Sequence, residues 1–97
     1  MEESDLNELK ENINSLVNAS TKNEAKPLYR KLIFKLSTLE AEVGSYLLGK
    51  LKQAINYANE ASGQVKDKEH WRLCMEKSWY TFNNGALSKE KPTVSDF

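Results

Sequence analysis

The sequence predicts an all-α protein: an antiparallel four-helix bundle followed by a loose C-terminal tail. Three observations lead there. Good helix formers (Leu, Lys, Glu, Ala) dominate a chain of 97 residues that has only four Gly and two Pro. Apolar residues recur three and four positions apart in four separate stretches. The breaks between those stretches are short, which favours antiparallel neighbours. A chain of this length makes one domain. The bundle is expected over residues 1–85 and the tail over 86–97.

The first helix is expected to open at Ser4, an N-cap, with Asp5 and Glu8 in the first turn where the helix dipole favours anions. Leu6, Leu9, Ile13, Leu16 and Val17 make its apolar stripe. The polar run "NASTKN" (18–23) breaks it, because those side chains compete for backbone hydrogen bonds. The second helix is expected from about Asn23, with Pro27 in the first turn, where its missing N–H costs nothing. Ala25, Leu28, Leu32, Leu36 and Leu39 follow on one face.

Gly44-Ser45 reads as the next break, with Ser45 capping a third helix striped by Leu47, Leu48, Leu51, Ala54, Ile55 and Ala58. The apolar series nevertheless crosses Gly44 without losing phase. A single helix of roughly 38 residues, about 57 Å long, is therefore the alternative, and it would require a dimer to cover it. Gly63 is placed to end this region as a C-cap.

Asp67 caps the fourth helix, which carries "WRLCMEKSWYTF" (71–82). On a helical wheel Trp71, Cys74, Met75, Ser78 and Phe82 share one face, Trp79 flanks it, and Leu73 and Tyr80 point the other way. The first set reads as core. The second reads as a partner surface, since an exposed leucine and aromatic on one helix face mark an interface. Tyr29, Phe34, Tyr46 and Tyr57 are further rim or surface candidates. "NNG" (83–85) is expected to stop the helix, and Pro92 lies in a tail without periodicity.

Composition excludes several classes. The formal net charge is zero, so the basic excess of a dedicated nucleic-acid binder is missing. Cys74 is the single cysteine, which rules out an intrachain disulfide. The acidic start "MEESDLNELK" is the opposite of a signal peptide, and no apolar run approaches the roughly 20 residues that span a bilayer. A cytosolic location follows as the expectation.

Reaction chemistry has little to work with. His70 and Cys74 are four apart and share a face, but two ligands do not make a zinc site, and no orienting third group completes a nucleophile. Glu40 and Glu42 point to different sides of their helix. No glycine-rich phosphate loop, G-x-S-x-G or H-E-x-x-H occurs. The expectation is a non-enzyme without metal or cofactor.

Charge is uneven along the chain. Glu2, Glu3, Asp5, Glu8 and Glu11 make the first twenty residues acidic. Lys22, Lys26, Arg30, Lys31 and Lys35 form a basic row on the second helix. That row could meet an anionic membrane surface, where each charge contributes about 1 kcal/mol. It could equally meet the acidic first helix or remain a solvated face.

The order of segments carries a family resemblance. "LNELKENINSLV", a polar loop, "PLYRKLIFKLSTLE", "YLLGKLKQAINYAN", a fourth helix and a tail resemble the immunity proteins of pediocin-like bacteriocins, the enterocin A immunity type. The resemblance is one of pattern over residues 6–85. It implies that the protein protects a bacterial cell from a pore-opening peptide, acting from the cytosolic side on the complex of that bacteriocin with a mannose-type sugar permease. It also implies that the C-terminal half discriminates between toxins. On this chain that region holds Leu73, Trp79, Tyr80, Asn83, Asn84 and Phe97 as partner-binding candidates, with the basic row suited to a membrane-peripheral stance. The other class consistent with the residues is a small helical adaptor or regulatory protein, dimeric through Leu73 and Tyr80.

Overall fold

The computed structural model describes residues 2–64 and 66–90, with backbone alone at 88–90. Among the described residues the structure is all-α, and its helices number three rather than four: α1 (Glu3–Val17), α2 (Lys22–Ala61) and α3 (Lys68–Glu90). Helix α1 begins two residues earlier than Ser4 would place it, because Glu2 and Asp5 form a capping box. Its apolar stripe is buried throughout, with Leu6, Leu9, Ile13, Leu16 and Val17 all inside.

Helix α2 also starts early. The Thr21 hydroxyl accepts from the Glu24 N–H at 3.1 Å, and the Glu24 carboxylate accepts from the Ser20 N–H at 3.1 Å. This T-x-x-E capping arrangement fixes the start at Lys22 and leaves Pro27 inside the helix rather than in its first turn.

The break expected between two helices at Gly44-Ser45 is a fold-back within α2. Gly44 alone departs from helical geometry, at φ 83° and ψ 165°. Residues with a Cβ rarely adopt that region, so glycine makes the corner. The reversal is visible in what it joins. Tyr29 Oη donates to Asn56 Oδ1 at 2.9 Å, and the Lys22 ammonium reaches the carbonyl of Asn59 and, at 3.2 Å, Ser62 Oγ. A straight helix of this length would measure about 60 Å, whereas the longest dimension of the molecule is 45 Å. The single straight helix is therefore overturned, and with it the reason it gave for a dimer.

The stop expected at 83–85 is also corrected. Helix α3 runs through Asn83, Asn84 and Gly85 to Glu90, and Ala86 is 1% exposed. The helix thus continues past residue 85, and residues 91–97 of the expected tail lie outside the described residues.

The two arms of α2 form the centre. Helix α3 packs chiefly on α2, α1 packs on α2 from another side, and α1 and α3 touch only lightly. Leu32, Leu36, Leu39 and Val43 of the first arm and Leu47, Leu51, Ile55 and Ala58 of the second share one core with Met75 and Phe82 of α3. Burying a side chain as large as Phe82 contributes roughly 2–3 kcal/mol. Two lysines tie down helix ends. Lys22 caps the end of α2, and the Lys68 ammonium donates to the Val17 carbonyl at the end of α1. Gly63, at φ 72°, donates to the Ala19 carbonyl at 3.0 Å and closes the same end.

Candidate functional site

Helix α3 presents two faces. Inward lie Met75, Ser78, Phe82 and Ala86, all buried. Outward lie Leu73, Lys77, Tyr80 and Asn84, spaced four, seven and eleven from the first and so aligned along one side. Leu73 is 50% exposed and Tyr80 68%. Their separation of seven positions corresponds to about 10.5 Å along the axis.

Trp79 takes no part in this surface. It is 8% exposed, tilted against Phe82 with ring centroids 5.4 Å apart, and Lys10 Nζ lies 6.0 Å from its ring. It is a core residue. Asn83 is half-buried, Asn84 exposed, and Phe97 lies outside the described residues.

One charge network crosses from α3 to α1. Lys10 Nζ approaches Glu76 Oε1 at 3.0 Å, Arg72 approaches Glu76 at 3.6 Å, and Arg72 also pairs with Glu69. The hydrogen bond from Arg72 holds the Glu69 carboxyl below its ordinary pKa, and the same bond raises Arg72.

The basic row does not form one surface. Lys22 is spent on the end of α2. Lys31 and Lys35 line a cleft against α1, with Asp5, Glu8 and Asn12 on its other wall, while Lys26 and Arg30 project from a different side of the arm. Two cations near headgroups contribute about 2 kcal/mol. That is short of the roughly 4 kcal/mol of even a millimolar complex.

A second groove, of about 390 Å³, runs between the arms of α2 beside the Gly44 corner. Ile33, Leu36, Leu48 and Gly49 line it, with Ser37, Ser45 and Lys52. Phe34 (72% exposed) and Tyr46 are exposed, while Tyr29 and Tyr57 are half-buried, Tyr57 stacked on Trp71 at 6.0 Å. Cys74 Sγ lies 3.9 Å from His70 Nε2, as one helical turn dictates. Among the described residues no group of three or more His, Cys, Asp or Glu side chains is placed to hold a metal ion. Among those residues, too, no helix is long and apolar enough to cross a membrane.

No family model, curated protein or solved structure matches the chain.

Proposed function

We propose that this chain is a non-enzymatic helical binding protein that works through the outer face of α3. The observation that carries the reading is the division of that helix. Its inner side is a closed core, while Leu73 and Tyr80 stand largely in solvent on the other side. Hydrophobic side chains held outward on a rigid helix, with a cation between them, suit a protein partner.

Within that class, we read the chain as a bacteriocin immunity protein of the pediocin-like, enterocin A type. With the two arms of α2 counted separately, four helical segments follow one another along the chain. This agrees with the order of segments on which the resemblance rests. In this reading the protein blocks the complex of a pore-opening peptide with a mannose-type permease from the cytosolic side. Leu73, Tyr80 and Asn84 supply the contact.

Expression of the chain in a sensitive strain, challenged with a panel of pediocin-like peptides, tests the reading. Protection against at least one peptide is expected, and sensitivity to the whole panel would reject it. Light scattering over a range of concentrations separates it from a dimeric adaptor: a monomer throughout is expected.

A further inference from the structure

The cleft between α1 and the first arm of α2 has a charge arrangement that neither the core nor the α3 face uses. One wall is acidic, with Asp5 and Glu8 followed by Asn12 on the same side of α1. The other is basic, with Lys31 and Lys35 one turn apart on α2. Leu9 and Leu32, both buried, make the floor, and the exposed ring of Phe34 stands at the rim. The cavity measures about 190 Å³.

The two walls do not neutralise each other. Among the described residues no ion pair within 4.0 Å joins Asp5 or Glu8 to Lys31 or Lys35. Asp5 has one other engagement, accepting from the Glu2 N–H at 3.4 Å. Opposite charges are thus held apart over an apolar floor, leaving room for a ligand with both signs.

We infer that this cleft binds a small zwitterion with an apolar side chain: an α-amino acid whose carboxylate lies against Lys31 and Lys35 and whose ammonium lies against Asp5 and Glu8. The side chain covers Leu9 and Leu32 and meets the Phe34 ring. Size points the same way, since the cavity is smaller than the roughly 300–1,000 Å³ of pockets for drug-sized ligands. An anionic lipid surface fits less well, because the acidic wall would repel the headgroups that the lysines attract. The inference is independent of the α3 face.

Amide NMR titration of the full chain with phenylalanine is the test, with phenylalaninamide and N-acetylphenylalanine as analogues carrying one charge each. Saturable shifts are expected at residues 5–12 and 31–35. Each analogue should bind about tenfold or more weakly, since each loses one charge-assisted contact. In Lys31→Gln/Lys35→Gln the advantage of phenylalanine over its amide should vanish. In Asp5→Asn/Glu8→Gln the advantage over the N-acetyl derivative should vanish. No saturable shift up to about 10 mM, a range that detects even millimolar affinity, would overturn the inference. So would equal binding of all three compounds to the unmodified chain, which reports an apolar groove only. The same amides responding to vesicles of anionic phospholipid but not to phenylalanine would overturn it in favour of a lipid contact.

Discussion

Gly85 and Leu47 mesh where α3 crosses the second arm of α2: a methyl group at position 85 would sit 2.4 Å from Leu47 Cδ2 and 2.9 Å from Cδ1. Glycine is therefore a packing residue in the middle of a helix, where it costs about 1 kcal/mol of propensity relative to alanine. Gly85→Ala is expected to destabilise by up to about 2 kcal/mol, the cost of overpacking against Leu47 less the helix propensity gained. Denaturant unfolding measures it. Added to Leu47→Ala, the same change should cost much less, which a double-mutant cycle would read as strong coupling.

The corner at Gly44 allows a contrast between two glycines of one helix. Gly44→Ala should destabilise by about 1–3 kcal/mol, since alanine is strained at φ 83°, ψ 165°. Gly49 has nothing within 4 Å of an added methyl and lies in regular helix. Gly49→Ala should stabilise by about 0.5–1 kcal/mol. Melting temperatures that move together would contradict the fold-back.

Stability should depend on Glu69 in acid. Its carboxyl is held below the ordinary value by the hydrogen bond from Arg72, so the folded state favours the ionised form. That contribution is present above the unfolded-state pKa and is lost as pH falls through the lower folded-state value. The site is exposed, so the effect is small. Thermal melts from neutral to acid pH should show a slightly shallower loss in Glu69→Gln, and NMR titration of Glu69 should place its midpoint below that of an isolated glutamate.

The two sides of α3 should respond oppositely. Trp79→Ala removes a buried ring packed on Phe82 and is expected to cost about 3–5 kcal/mol. Leu73→Ser and Tyr80→Ser change exposed side chains and should stay within about 0.5 kcal/mol in stability. Chemical denaturation of the three variants distinguishes them.

Much of the fold was legible because apolar spacing reports burial directly. The stripe from Leu6 to Val17 lies in the core, as do Met75 and Phe82. The corner at Gly44 was ambiguous because the apolar series keeps its phase on both sides; only the backbone angle of one residue bends the helix back. The continuation of α3 was hidden because "NNG" is a local stop signal, whereas the use of Gly85 depends on a side chain 38 positions earlier in the sequence. Thr21 and Glu24 did carry a readable signal, the T-x-x-E spacing, and it would have placed the start of α2 and Pro27 correctly. At the candidate site, Leu73 and Tyr80 could be placed by the wheel. Trp79 could not, because a residue flanking the stripe turns inward only when a neighbour such as α1 is there to receive it. The basic row was legible in its spacing, and the acidic first helix was one of the surfaces open to it, where Lys31 and Lys35 now lie; that Lys22 would instead cap α2 depends on a helix end 37 or more positions away.

The most direct test of the functional account is protection of a sensitive strain by Leu73→Ser/Tyr80→Ser beside the unmodified chain, at matched expression and unchanged melting temperature. The account predicts that the unmodified chain protects and the double variant does not. Full protection by the folded double variant would contradict it.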